Sequence, residues 1–485
     1  MLLGLDLGTG SVKALLLDED GTPRGESSAS YPVDSPHAGW AETDPEGWWR
    51  ASVKAARDAV GSHGPEVTAL GLSGQMHGVM LTDDNGAPLR PAVLWADARA
   101  TEELAAYKVL DNETRHRLAN PPATGMAGPT LLWLRNNEPE VYSSARWALQ
   151  PKDWLRLRLT GEVAAERSDA SATLLYDLFS DGWDPELVEA LGLRRELLAP
   201  LTDSWVAAGN LTAEAARQLG LKSGLPVAAG AGDTAAAMLG SGLLEPGEVQ
   251  LTVGTGAQIV VPKARPEADP DERTHLYRAA APDLYYSMAA VQNAGLALEW
   301  VRRVLGASWD EVYEEAFAVP PGANGVSFLP YLNGERTPHF DPAARGAWTG
   351  LGLGHGRGHL LRAALEGVTF ALREGLEALE AAGTEIPELR LGGGGTAKEP
   401  WRQLLADVLE RPLRLLPEGV ASTASARGAT LLAGVACGAY GSVEQTLILA
   451  PEPERSVEPE QGADYEAAYR RYRELYPRLR DESIS

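Results

Sequence analysis

Cysteine is all but absent: Cys437 is the single one in 485 residues. No intrachain disulfide can form, and no cysteine-rich zinc module can be built. That usage fits a reducing cytoplasm. Long apolar runs are missing too. A membrane helix needs about 20 uninterrupted apolar residues, and the nearest stretch, the alanine-rich run after Leu225, is broken by Asp233. No basic region precedes the first apolar run, which Asp6 interrupts, so a secretory signal is not expected. Positive charge is scarce: 43 Lys and Arg stand against 67 Asp and Glu, a formal net charge of −24. Nucleic acid and anionic membrane reward clustered cations, so neither is expected as a partner. Zinc-ligand spacing, a G-x-S-x-G elbow and a Walker lysine loop are also lacking. What remains is an ordinary soluble composition, 44% hydrophobic and 23% charged, on a chain long enough for about two to three domains.

An anionic ligand would have to be met locally in such an acidic protein, by backbone N–H groups, a metal ion or a few chosen cations. The sequence supplies one turn twice. "LLGLDLGTGSVKALLL" opens the chain, and "VQLTVGTGAQIVVP" returns around Gly254. Each is an apolar run, Gly-Thr-Gly, then a second apolar run, which reads as a hairpin. A tight glycine turn points successive N–H groups into one concavity that suits phosphate oxygens. Gly8, Thr9 and Gly10 would form one grip, and Gly254, Thr255 and Gly256 the other. Two residues before the turn, the first copy carries Asp6 where the second has Thr252. Mg²⁺ takes one or two carboxylates and keeps most of its waters, so one acid suffices for a phosphate-bound ion. Asp6 is therefore expected on the metal side, with Lys13 as a local cation.

The rest of the chain follows the same repeat. Residues 2–7 and 12–17 read as strands joined through the first glycine turn, with a further turn at "DEDG". "AETDPEGWWRASVKAARDAV" reads as a helix capped by Thr43, with Pro45 in its first turn and Glu46 completing a capping box. "EVTALGLS" is strand-like and runs into "GQMHG"; a long, mostly helical stretch follows. "GLPVAAGAGDTAAAMLG" reads as strand, glycine turn and small-residue helix. The second half brings a hairpin, the long helix "HLLRAALEGVTFALREGLEALEAAG" and the strand–turn–helix "ELRLGGGGTAKEPWRQLLADVL". Two related α/β lobes are expected, residues 1–242 and 243–485, joined within "GSGLLEPGE".

Asp233 lies where a glycine turn becomes a helix. It reads either as a helix cap or as a general base held near a helix N-terminus. "GQMHG" sets Gln75, Met76 and His77 between glycines at a strand end, a loop tip suited to reading a polyol. In "AVLWADARA", Asp97 and Arg99 read as a structural tie. Four glycines in "LGGGGTAKEPW" allow backbone to approach a flat ligand closely.

In order along the chain, "GLDLGTGSVK", "HAGWAETDPEGWW", "GLSGQMHG", "VLWADAR", "LQPKDWLRLRLTGE", "GAGDTAAAMLG", "LTVGTGA", "FLPYLNGERTPH", "ALEGVTFAL" and "LGGGGTAKEPWRQLLAD" resemble the FGGY carbohydrate kinases, most closely the xylulokinases among them. The likeness covers nearly the whole chain. It implies an α/β fold of two ribonuclease-H-like, actin/hexokinase-type lobes, with ATP and sugar meeting in the cleft. It implies Asp233 as catalytic base and Asp6 as the acid tied to Mg²⁺ and the phosphates. Met76 and His77, beside Gln75 and Thr234, match the sugar contacts; Thr255 and its glycines match the second phosphate loop, and Gly393 and Gly394 the loop against adenosine. Departures from the family pattern are Thr234 where Asn is usual, "WADAR" for "WNDGR", Thr130 where Lys is common, Gly256 where the second loop usually has Ser, and "KEPW" without a Ser or Asn near the nucleotide.

The activity implied is ATP- and Mg²⁺-dependent phosphorylation of a sugar hydroxyl, D-xylulose to D-xylulose 5-phosphate, in the cytoplasm. Alternatives are a kinase for another ketose, polyol or sugar acid, such as ribulose or gluconate, and a non-catalytic sugar or nucleotide sensor. Retention of Asp6 and Asp233 argues against the sensor, which needs no base. A second copy of the chain, as in a homodimer, is the one protein partner left open.

Overall fold

A computed structural model describes residues 1–460, 462 and 464–480. The first sheet's strands are β1 (Leu2–Leu7), β2 (Ser11–Leu17), β3 (Pro23–Ser30), β4 (Ala69–Gly74), β5 (Ala207–Asn210), β6 (Pro226–Ala228) and β7 (Ala231–Gly232), the central ones short Leu-, Ala- and Gly-rich runs buried on both faces. Their spatial order is β5-β6-β4-β1-β2-β3, with β7 continuing beside β4. β1 is antiparallel to β2 and parallel to β4, and its six residues are all buried. The first lobe's helices used below are α1 (Pro45–Val60), α2 (Pro151–Thr160) and α3 (Asp233–Ser241).

The second sheet repeats this arrangement with β8 (Gln250–Val253), β9 (Ala257–Lys263), β10 (His275–Arg278), β11 (Tyr285–Val291), β12 (Leu389–Gly392), β13 (Leu413–Leu415) and β14 (Arg455–Val457), in the order β10-β11-β9-β8-β12-β13-β14. β8 pairs antiparallel with β9 and parallel with β12, as β1 does with β2 and β4. The duplication read from two Gly-Thr-Gly turns is thus a duplication of whole sheets. Helices α4 (Gly295–Val304), α5 (Arg357–Ala381), α6 (Glu399–Leu409) and α7 (Val420–Ala436) follow, then the short α8 (Glu466–Arg473) and α9 (Leu475–Leu479). The stripe Leu361, Leu365, Val368, Leu372, Leu376 and Leu379 of α5 is buried in the second lobe's core, as its helical spacing predicts. Among the described residues no helix is long and apolar enough to cross a membrane.

Helix α7, although numbered within the second half, lies on the first sheet. Its backbone comes so near β4 that a Cβ on Gly71 would sit 1.8 Å from the Ala429 carbonyl oxygen; one on Gly428 would sit 1.9 Å from the Ala236 oxygen of α3. Side-chain-free surfaces let sheet, α3 and α7 pack backbone to backbone. Gly71→Ala is therefore expected to push α7 off the sheet and lower stability by about 1–3 kcal/mol. Urea unfolding reads this directly; an unchanged midpoint would show that α7 is not seated there.

Two local expectations are corrected. Helix α1 is capped by Asp44, whose carboxylate accepts the Glu46 N–H at 3.0 Å, and not by Thr43. Thr43 instead pairs with Ala92 in a two-residue ladder, so its backbone is already extended and committed. "GQMHG" is no exposed tip: Gln75, Met76 and His77 are 1%, 5% and 9% exposed, because the second lobe closes over them.

Candidate active site

Three segments leave the first sheet at the carboxyl ends of parallel strands: Gly8 after β1, Gln75 after β4 and Asp233 after β7. In open α/β sheets that edge is where ligands bind. The register brings Asp6 beside Lys13 on β2 and Ser73 on β4. Ser73 Oγ donates to Asp6 Oδ1 at 3.0 Å. Burial pushes the Asp6 carboxyl up, opposed by the Ser73 bond and the Lys13 charge. Lys13 Nζ itself donates to the Ser422 carbonyl at 2.6 Å, just inside the N-terminus of α7.

The first glycine turn is braced on both sides. Gly8 N–H donates to Ser11 O at 3.0 Å, and Tyr31 donates its hydroxyl to Gly8 O and its N–H to Gly10 O. Trp95 Nε1 donates to Thr9 Oγ1 at 2.8 Å. The N–H groups of Thr9 and Gly10 find no acceptor among the described residues, which makes the turn an anion nest. In the second turn Gly254 N–H donates to Gly256 O at 2.8 Å, and α4 starts against it through Leu296 N–H to Thr255 O at 2.9 Å. Here Thr252 takes the place of Asp6 and Gln258 that of Lys13, so this copy carries no charge. Next to it, Gly393 has φ 104°, and a Cβ there would lie 2.2 Å from Val253 O; at Gly394 nothing lies within 4 Å of the added carbon. Only glycine fits the first position, and open space for a ligand borders the second.

Asp233 is the first residue of α3, with Gly232 as its cap. Its Oδ1 accepts the Thr234 N–H at 2.6 Å and the Thr234 hydroxyl at 3.3 Å. Burial and the nearby Asp6 charge push its pKa up to about 7, against the two Thr234 bonds. A carboxyl so poised can exchange a proton at neutral pH. The Thr234 hydroxyl therefore faces the carboxylate of Asp233. Met76 packs against the same turn: a Cβ on Gly232 would meet its Cγ at 2.8 Å. Its sulfur accepts from Tyr286 of the second lobe at 3.7 Å. His77 has φ 73°, and its Nδ1 lies 2.8 Å from Ala172 O. A carbonyl only accepts, so Nδ1 carries the proton and Nε2 is an acceptor. Burial pulls the His77 pKa down to about 4 and keeps the ring neutral. Gln75 turns inward, its amide donating to Gly8 O at 3.4 Å.

Behind Asp233 sits a fully buried ion cluster. Lys152 Nζ of α2 lies 2.7 Å from Asp153, 3.4 Å from Asp169 and 3.7 Å from Glu166. Ser168 Oγ donates to Glu166 at 2.7 Å and accepts the Gly232 N–H at 3.0 Å, which ties the cluster to the turn before Asp233. Asp97 and Arg99 form the expected tie, closing an ion pair at 2.7 Å while Asp97 accepts the Ala41 N–H at 2.6 Å. Sequence reading missed Ser73, Tyr31 and the Lys152 cluster, because Ser73 meets Asp6, Tyr31 meets Gly8 and Lys152 meets Glu166 and Asp169 only once the chain has folded back.

Among the described residues no three His, Cys, Asp or Glu side chains gather as a metal site. One carboxylate with an oxygen left over after Ser73, beside an anion nest, fits the donor set of Mg²⁺ on a polyphosphate.

Comparison with known proteins gives a consistent picture. The sequence model for the N-terminal domain of the FGGY family of carbohydrate kinases matches residues 1–240, and that for the C-terminal domain matches residues 249–437. Xylulose kinase of Escherichia coli strain K12 is 35% identical, with 99% of each chain covered. The crystal structure of xylulose kinase from Rhodospirillum rubrum superposes with a TM-score of 0.89 at 31% identity, covering 99% of both chains. Gluconokinase of Bacillus subtilis strain 168 is 30% identical over 91% of this chain and 89% of its own.

Proposed function

The chain belongs to the FGGY family of carbohydrate kinases, and from that premise we propose that it transfers the γ-phosphoryl group of ATP to the terminal hydroxyl of D-xylulose, giving D-xylulose 5-phosphate. It is an ATP-dependent sugar kinase. The observation that carries the site assignment is Asp233, its carboxyl raised to about 7 at the carboxyl edge of the sheet that also holds Asp6. Asp233 orients the attacking hydroxyl and accepts its proton. Thr234, by holding Oδ1, leaves Oδ2 for that hydroxyl. The N–H groups of Thr9, Gly10, Thr255 and Gly256 cradle the phosphates, with Gly393 and Gly394 against the adenosine. Lys13 offsets phosphate charge beside Asp6. Mg²⁺, held at Asp6, supplies charge neutralisation of the phosphate oxygens when bound. Phosphoryl transfer leaves little covalent work to a protein, so positioning and charge dominate. Met76 and Gln75 wall the sugar, and His77 Nε2 accepts a hydrogen bond from one of its hydroxyls. We place the reaction in the cytoplasm, a reading supported by the lone cysteine, Cys437.

Gluconate is the second reading, favoured by the gluconokinase relative. ADP release with Mg²⁺–ATP across ketoses, polyols and sugar acids separates the two. D-xylulose is expected to give the largest kcat/KM. A base must be ionised, so kcat/KM is expected to fall about tenfold per pH unit as pH drops below about 7. A profile flat down to pH 5 would remove Asp233 from that role.

A further inference from the structure

The segment "NGERTPH" has no role in the mechanism so far, yet the structure builds a stiff frame around Arg336. Glu335 accepts the N–H groups of Gln292 at 2.5 Å and Arg336 at 2.8 Å. Thr337 N–H donates to Ala290 O at 3.0 Å, and its hydroxyl accepts the Ala290 N–H at 3.1 Å. Tyr476 of α9 donates to Asp341 at 2.9 Å and stacks on His339 with ring centroids 3.9 Å apart. The frame holds the backbone on either side of Arg336 but offers nothing to its guanidinium; close by, the Tyr277 hydroxyl and His275 Nε2 are also without hydrogen-bond partners. The guanidinium has no hydrogen bond and no ion pair among the described residues, and it lies 5.2 Å from the centroid of the Trp95 ring.

Its surroundings are those of the sugar contacts. His275 stacks on Tyr277 at 5.4 Å, and Tyr277 faces His77 at 6.0 Å. The Arg336 charge disfavours protonation of both histidines. Arg336 therefore borders the sugar contacts between the Trp95 ring and the His77–Tyr277–His275 row. Neutral rings cannot balance its charge, and the adjacent Glu335 is taken up by the Gln292 and Arg336 N–H groups and by the Asn293 amide. A half-buried cation without protein partners takes its hydrogen bonds from water or from a ligand that displaces it.

We propose that Arg336 is a substrate-recognition residue whose guanidinium donates hydrogen bonds to the sugar oxygens at the end opposite the phosphorylated hydroxyl. In a ketose those are the C2 carbonyl and C1 hydroxyl oxygens, adjacent acceptors that suit a planar fork of donors. The corresponding pentitol, reduced at C2, lacks the carbonyl acceptor. In a sugar acid the carboxylate takes the same place. The assignment rests on the sugar-kinase reading above.

The test compares wild type with Arg336→Gln and Arg336→Lys, using D-xylulose, the pentitol with C2 reduced, and gluconate. Hydrogen bonds to charged groups imply that Arg336→Gln raises KM for D-xylulose about 10- to 100-fold, with KM for ATP within about twofold. Arg336→Lys, which keeps the charge but not the fork, should fall between. The ratio of ketose to pentitol kcat/KM should drop with the KM change, a readout that loosened packing would not move. If gluconate proves the better substrate, its KM must rise at least as far. Equal losses on ketose and pentitol, or a matching rise in KM for ATP, would overturn the proposal. Unchanged kinetics would overturn it too. Wild type inactive on all three sugars would instead overturn the kinase reading on which it rests.

Discussion

Asp233→Asn is expected to lower sugar-dependent ADP release by about 10²–10⁴-fold, roughly 3–5 kcal/mol of barrier, while making the protein more stable. The amide keeps the shape of the carboxyl and can still accept the Thr234 N–H at the cap of α3, but it cannot take a proton from the sugar. ATP affinity should stay within a few-fold, because the phosphate grips lie on other segments. The stability gain follows from linkage. Burial and Asp6 raise the Asp233 pKa from 3.8 to about 7 in the folded state. Folding therefore favours the protonated carboxyl: that contribution is complete below about pH 4 and is lost as pH rises through 7. Asparagine carries no charge to desolvate. The variant should match wild type in acid and exceed it above pH 7, by on the order of 2 kcal/mol after allowing for water in the cleft. Thermal unfolding at pH 5 and pH 8 measures this, alongside turnover. Near-normal turnover would remove Asp233 as the base; a stability difference independent of pH would remove the electrostatic account of its pKa. Loss of activity with gain of stability is what a functional strain predicts.

The repeated turn could be read in the sequence because its signal is local: apolar runs flanking Gly-Thr-Gly specify hairpin and register within a few residues. Asp6 and Asp233 were legible for the same reason, each being an acid set against a glycine turn. What surrounds them was not. Ser73 meets Asp6 only because β1 and β4 pair in parallel in one register, and nothing in either segment names its partner. Met76 and His77 look exposed between glycines until Tyr286 and Tyr277 of the other lobe cover them. Thr43 and Asp44 are both good caps; the choice went to Asp44 because Thr43 is held by Ala92, some 50 residues away. Glu335 and Arg336 are neighbours in "NGERTPH", but Glu335 turns to backbone donors and forms no ion pair with Arg336. The placement of α7 on the first sheet is likewise a long-range fact, hinted at only by the small residues of "ASTASARGAT". Local chemistry was legible; the contacts that aim it are tertiary.

Lys152→Met carries the second large effect. The ammonium of Lys152 is wholly buried; burial works against its charge, but Asp153, Asp169 and Glu166 outweigh that and hold it protonated. Removing it leaves Arg156 to balance Asp153 at 2.8 Å and nothing to balance Glu166 and Asp169. Breaking a buried cluster in this way costs about 3–5 kcal/mol. The loss should depend on pH. Burial already pushes the Asp169 carboxyl well up, opposed chiefly by Lys152. Without the lysine it rises further, so the contribution of its protonated form to folding is present in acid and fades as pH climbs. Urea unfolding should therefore show a deficit larger at pH 8 than at pH 5. Asp169→Asn placed on Lys152→Met should recover part of it by deleting one unpaired anion. Activity should fall as well, since Glu166 anchors the Ser168 hydroxyl that receives the Gly232 N–H directly before Asp233. A structural defect alone would lower the amount of folded enzyme and leave its pH profile in place. If the cluster aims the base, the acid limb of kcat/KM shifts in Lys152→Met even where the protein is fully folded. A deficit equal at both pH values, or an unmoved acid limb, would separate the cluster from Asp233 and reduce it to packing.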